Sequence, residues 1–328
     1  MKKLAILLAA TFACGCLAVG CRTQDKENLK IYMPDGAPAL ALGLPMYEDN
    51  EQDGMEYHVV SAQVIQTYVT GNQPAADVCV LPVNLAAKLL GSQETYRMAG
   101  VVTHGNLYFL SADDTQYGRG ELSKLLGKTV GVVQLNNVPG LTLKATLAAE
   151  GIPYNDLSDG GSAVDNAVNL KAVNPTALVG ADVYLLPSPE ADRIVENTNL
   201  NWVGDLQALY GDGSGYPQAV IVVKNSVILY RKQLLADLLV KIENNTEWLK
   251  TAPKNVIADA VAAHLEVGLT PKFTAETLTD GAIAHSGIWM QYLSAETVAE
   301  VDGFLGKIAE IDPSKATVPN RNFYWLTR

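Results

Sequence analysis

Residues Lys128–Ile152, KTVGVVQLNNVPGLTLKATLAAEGI, read as one strand, one turn and one helix. KTVGVV is a short apolar run of the kind a buried strand shows. Asn136, Asn137 and Gly140 occupy the turn, and Leu141–Glu150 carries the helix. The same alternation extends to both sides. Strands are predicted at LKIYM (29–33), EYHVV (56–60), ADVCVLP (76–82), VVTHGNLYFLS (101–111), ADVYLLP (181–187) and QAVIVV (218–223). Helices are predicted at Ala37–Tyr47, Ala62–Thr70, Leu85–Leu90, Ala163–Ala172 and Glu190–Glu196. Strands alternating with helices of this length imply βαβ units and an α/β fold with mainly parallel sheets. From Asn225 onward the chain turns mostly helical. In LYRKQLLADLLVKIENNTEWLK (229–250), Leu234, Leu235, Leu238, Leu239 and Ile242 recur at the three- and four-residue steps of one buried face.

Two apolar runs, VVTHGNLYFLS (101–111) and YPQAVIVVKNS (216–226), flank a complete α/β block. The chain is therefore expected to build one lobe, cross near Leu110 to a second, and cross back near Val220. This gives lobe one at 29–110 with 220–328, lobe two at 111–219, and a cleft between them. Such clefts are favoured small-molecule sites.

The first 21 residues, MKKLAILLAATFACGCLAVGC, form a secretory signal: two lysines, then an apolar run too short to span a bilayer. Its end, Ala18-Val19-Gly20-Cys21, resembles a bacterial lipobox, which implies a lipidated Cys21; Cys16 is the weaker competitor, and ordinary cleavage without lipid is the alternative. Arg22–Asn28 reads as a tether. The precursor has 24 basic and 35 acidic residues, net −11; losing Lys2 and Lys3 leaves 24 minus 2 against 35, about −13. No basic stripe points to nucleic acid. Of four cysteines only Cys79 belongs to the body, so no internal disulfide framework is expected. The four histidines, His58, His104, His264 and His285, are too far apart in sequence to suggest a metal site. The chain also lacks a His-Glu-x-x-His pair, a Gly-x-Ser-x-Gly elbow and a Cys-x-x-Cys, and it is read as a non-enzyme without cofactor.

A parallel sheet places its ligand beyond the carboxyl ends of its strands, and four strand-to-helix junctions carry small or polar residues there. They are MPDGAPAL (33–40) with Asp35, Gly36 and Ala37; LPVNLAAKLL (81–90) with Asn84; the 134–140 turn with Asn136 and Asn137; and LLPSPEADRI (185–194) with Ser188. Free N–H groups at each helix start would face the cleft. Helix capping is the ordinary role of Asp, Asn and Ser at such places. His104, on the hinge run, is a further candidate. None of the four turns holds a basic residue, so a polar neutral ligand suits them at least as well as an anion.

Taken in order, MPDGAPAL, ADVCVLPVNLAAKLL, Gly105-Asn106-Leu107-Tyr108, KTVGVVQLNNVPGLTLKATLAAEGI, ADVYLLPSPEA and VPNRNFYW (318–325) resemble the solute-binding lipoproteins of bacterial ABC importers. Within these, the chain is similar to the nitrate, sulfonate and thiamine-precursor group. The resemblance covers Leu29 to the C-terminus. It implies a two-lobed type II periplasmic-binding-protein fold, with two hinge crossovers and a C-terminal helical region. It also implies a monomeric receptor that passes a small solute to an ABC permease and its ATPase. The family's ligand-contacting turns correspond to Asp35-Gly36-Ala37, Val83-Asn84, Asn136-Asn137 and Ser188-Pro189, although Pro187-Ser188-Pro189 departs from the family's frequent Pro-Glu-Pro. The same fold also serves ligand sensors and a pyrimidine-phosphate synthase, which are the alternative readings.

Overall fold

The computed structural model describes residues 28–49, 53–158 and 160–326. The expected signal sequence, Cys16, Cys21 and all of the 22–28 tether except Asn28 lie outside the described residues.

The chain first lays down β1 (Leu29–Pro34), β2 (Met55–Val60), β3 (Val78–Pro82) and β4 (Tyr96–His104). It then forms β5 (Leu107–Ser111), β6 (Thr129–Val132), β7 (Tyr154–Asp156), β8 (Val168–Ala172), β9 (Val183–Pro187) and β10 (Asn201–Asp205), before returning with β11 (Pro217–Lys224) and β12 (Ile288–Tyr292). These make two six-stranded sheets, ordered β12-β4-β11-β3-β1-β2 and β10-β5-β9-β6-β8-β7. In the first, β1 lies parallel between β2 and β3, and β11 is antiparallel to β3 and β4. In the second, β6 lies parallel between β8 and β9, and β5 is antiparallel to β9 and β10. Both lobes therefore follow one plan. Each sheet takes, as the antiparallel neighbour of its parallel strands, the strand that has just arrived from the other lobe.

Eleven helices are described. α1 (Ala37–Leu40), α2 (Gly43–Tyr47) and α3 (Val83–Leu90) belong to the first lobe; α4 (Val138–Ala149), α5 (Glu190–Asn197) and α6 (Leu206–Leu209) belong to the second. The C-terminal region supplies α7 (Asn225–Tyr230), α8 (Lys232–Thr251), α9 (Lys254–Ala262), α10 (Asp280–His285) and α11 (Ala295–Ile311).

The central strands are continuous apolar runs because both faces of each sheet are covered. Val78 and Val80 of β3 join one buried cluster with α2, α8 and α9, whereas Cys79 and Leu81 join the other, with α3 and α11. β9 divides likewise, with Val183 and Leu185 on one side and Tyr184 and Leu186 on the other. Cys79 is a buried core residue whose thiol burial pushes well up. Along α8, Leu235, Leu238, Leu239 and Ile242 are buried, as the periodicity predicts.

α11 is where the lobes share a core. Val298, Val301, Phe304, Leu305 and Ile308 form its buried face, and the helix packs on both α3 and α4. Phe304 stacks on Tyr216 with ring centroids 5.5 Å apart and meets Tyr210 edge-on at 5.7 Å. Both tyrosines belong to the returning crossover, so α11 backs the hinge.

Three expectations are corrected. The run 101–111 is not one strand crossing near Leu110. It breaks at Gly105-Asn106, so that β4 and β5 fall in different sheets, and the return lies between Leu209 and Pro217 rather than near Val220. Residues 163–172 do not form a helix, because their second half is β8, with Val168 and Leu170 fully buried between β6 and β7. Ala37–Tyr47 is split into two short helices.

Candidate ligand-binding site

The carboxyl ends of β1, β2, β3, β6, β8 and β9 converge on a cavity of about 640 Å³ between the lobes. β1 and β6 each lead to one parallel neighbour on either side, so the cavity sits at the topological switch point of both sheets.

From lobe one, the β1–α1 turn contributes Asp35, Gly36 and Ala37. Gly36 has φ +99°, a conformation that side-chain-bearing residues rarely adopt. Asp35 Oδ1 accepts from Gly36 N at 2.7 Å, and Oδ2 accepts from Lys272 N at 2.8 Å. Burial raises its carboxyl pKa, against the lowering effect of those two N–H groups. The turn is held from behind by Asn245 of α8, fully buried, whose Oδ1 accepts from Leu44 N and whose Nδ2 donates to Leu40 O.

From lobe two come Asn137 and Ser188. Asn137 caps α4, its Oδ1 accepting from Val138 N at 2.9 Å. Gln134, also in the lining, stands at φ +56°, an uncommon conformation for a residue with a side chain. Ser188 Oγ donates to Asp192 Oδ2 at 2.6 Å. Its backbone is locked to the hinge, since Ser188 N donates to Asn106 O and Asn106 Nδ2 donates to Ser188 O at 2.8 Å.

Three of the expected residues lie elsewhere. Asn84, in the first turn of α3, is buried away from the cavity and donates through Nδ2 to Lys315 O at 3.1 Å. His104 stacks on Trp289 at 3.5 Å, with Nε2 2.9 Å from Gln291 Oε1, fastening β4 to the edge strand β12. Burial pushes its pKa down to about 4, so the ring is neutral near pH 7. Asn136 is exposed and outside the lining.

Other lining residues come from segments without a strand-to-helix signature: Ser61 and Gln63 after β2, Thr103 and Asn106 at the hinge, Asn174 after β8, Gln218 of β11, and Lys272; Glu190, the first residue of α5, belongs to the 185–194 junction but was not singled out there. Lys272 adds a basic residue from outside the four turns, arriving from the connection between α9 and α10. Its Nζ lies 2.9 Å from Glu190 Oε1 of the opposite lobe. A second bridge between the lobes joins His285 Nδ1 of α10 to Asp192 Oδ1 of α5 at 2.7 Å. The hydrogen bond to Asp192 raises the His285 pKa above its ordinary value. Tyr108 and Trp202 of lobe two close around the same imidazole, with centroids 5.0 and 4.9 Å away.

Two sheets built alike, a double crossover and a switch-point cavity decide the architecture. The chain has the type II periplasmic-binding-protein fold. Solved structures of the same shape include an ABC transporter protein from Parabacteroides distasonis, at 18% identity and TM-score 0.66, covering 92% of this chain and 100% of that one. The periplasmic aliphatic sulphonate binding protein SsuA of Escherichia coli matches at 12% identity and TM-score 0.65, covering 92% and 93%. A DSZB variant in complex with biphenyl-2-sulfinic acid matches at 14% identity and TM-score 0.56, covering 90% and 96%. No family model matches the chain, and no curated protein matches it. Among the described residues of this periplasmic-binding-protein fold, no helix is long and apolar enough to cross a membrane, and no three metal-ligating side chains gather.

Proposed function

We propose that this chain is an extracytoplasmic solute receptor of an ABC importer. It is held to the membrane by a lipid on Cys21, closes around a small polar solute, and delivers that solute to a permease driven by its ATPase. The observation that carries this reading is the interlobe cavity, framed by the carboxyl ends of both sheets and bridged by Lys272–Glu190 and His285–Asp192. A solute that touches both lobes stabilises the closed arrangement over the open one, and that difference is what a permease can read. The fold shared with proteins that bind aliphatic sulphonates supports the role.

The test is small-angle scattering and thermal melting of the soluble Cys21→Ser protein with fractionated bacterial metabolite extract. The expected result is a fraction that raises the melting temperature, reduces the radius of gyration, and contains a solute recovered chemically unchanged. A protein that neither compacts nor is stabilised overturns the reading, and conversion of the solute favours an enzyme. Cys21→Ser is expected to leave the membrane fraction; retention there overturns the anchor.

A further inference from the structure

The geometry points to a nitrogenous hydrogen-bond donor, an amine, amidine or guanidine, as the solute class of this cavity, rather than an oxyanion; this rests on the receptor reading above. The helix starts beside the cavity are partly taken up by the protein's own groups. At α1, Asp35 takes the Gly36 N–H, and Pro38 has none to offer. At α4, Asn137 Oδ1 takes the Val138 N–H, and Pro139 comes next. At α5, Pro189 precedes the helix, and Glu190 and Asp192 place two carboxylates in its first turn. One N–H at α1 and one at α4 are thus taken from within, a proline removes another at each, and α5 carries two carboxylates in its first turn.

Three lining residues carry buried side-chain oxygens without a partner among the described residues. Asn106 is 1% exposed, and its orientation is fixed because Nδ2 donates to Ser188 O. Its Oδ1 is therefore presented as an acceptor, buried and without a partner among the described residues. Gln218 Oε1, another lining residue's oxygen, is likewise buried and unpartnered, and so is the hydroxyl of Thr103, which can donate or accept. Buried oxygens of this kind cost free energy until a donor reaches them.

Charge agrees with this arrangement. The lining holds two carboxylates, Asp35 and Glu190, and one cation, Lys272. That ammonium is already on Glu190, and Arg193, outside the lining, comes within 3.8 Å of the same carboxylate. An arriving oxyanion would have to lie among carboxylates and carbonyl-type oxygens with no uncommitted lining cation. An arriving ammonium or amidinium would find acceptors at Asn106 and Gln218 and would compete with Lys272 for Glu190.

The experiment offers the purified protein an equimolar panel of agmatine, benzamidine and spermidine with benzenesulfonate, benzoate, ethanesulfonate and nitrate, together with metabolite extract. Captured species are identified by native mass spectrometry and their affinities measured by calorimetry. Nitrogenous donors are expected among the captured species. Asn106→Leu is expected to weaken them about tenfold, the loss of one hydrogen bond to a charged group. Lys272→Met is expected to tighten them by roughly threefold or more, because a tethered competitor is removed. If Lys272→Met unfolds the protein, Lys272→Gln serves in its place, with the ligand-free melt as control. Capture of sulfonates or carboxylates, weakened by Lys272→Met, overturns this inference and leaves the receptor role standing. Capture of no small molecule overturns both.

Discussion

Asn84 and Asn137 occupy comparable places in the sequence, each beside a strand-to-helix junction, yet the fold gives them different work. Asn137 caps its helix and lines the cavity, whereas Asn84 ties α3 to the segment after α11 through Lys315 O. Asn84→Ala is therefore expected to cost about 1 kcal/mol of stability through the loss of that part-buried hydrogen bond, while solute affinity in calorimetry stays unchanged. A weakened affinity at unaltered melting temperature would return Asn84 to the site. The turn residues Asp35, Gly36, Ala37, Asn137 and Ser188 were legible because the end of a parallel strand restricts the residues able to turn the chain into a helix. Lys272 and Asn106 were not, since loops and hinges carry no periodicity and only the tertiary fold sets where they fall; Gln218 opens a predicted strand, but the strand pattern does not say that its start borders the cavity. Gly140 shows a residue readable for an incomplete reason. It reads as turn punctuation, but it lies inside α4, where a Cβ would come within 1.9 Å of Leu135 O.

At the level of elements, the strands with both faces buried were the most readable, and β1, β3, β6, β9 and β11 fall within two residues of their predicted positions. β8 was misread because VNLKA is short and comes after a polar stretch; its burial comes from β7, paired 14 residues upstream, and β6, paired 40 residues upstream, rather than from its own pattern. α11 contributes what no local pattern announces, a helix common to both lobes. Phe304, 3% exposed between Tyr210 and Tyr216, is expected to cost about 3–5 kcal/mol on replacement by alanine. Because that loss falls at the hinge, Phe304→Ala should also broaden the distribution of interlobe distances in spin-label measurements. A destabilised protein with an unaltered distribution would make α11 a core helix only.

For the whole molecule, two ion pairs join residues of opposite lobes, and one of them titrates. Asp192 raises the pKa of His285 where the two lobes meet, so on the proposed closing motion the bridged arrangement binds the proton more tightly than a free imidazole does. This contribution is fully present below the ordinary histidine value of 6.5 and is lost as pH rises through the raised value. Interlobe distance measured from pH 5 to 9 is accordingly expected to lengthen on the alkaline side, and His285→Gln should flatten the profile. An unchanged profile in that variant would remove the pair from the closing mechanism. The sheet order has a separate consequence for biosynthesis. β11 fills the gap between β3 and β4, yet it comes more than a hundred residues after them, once the second lobe is complete. An emerging polypeptide therefore holds an unfinished first sheet, split down its middle, until about two-thirds of its length has been made. On the proposed extracytoplasmic route, that interval leaves the chain unfolded for a translocase that accepts only unfolded polypeptides.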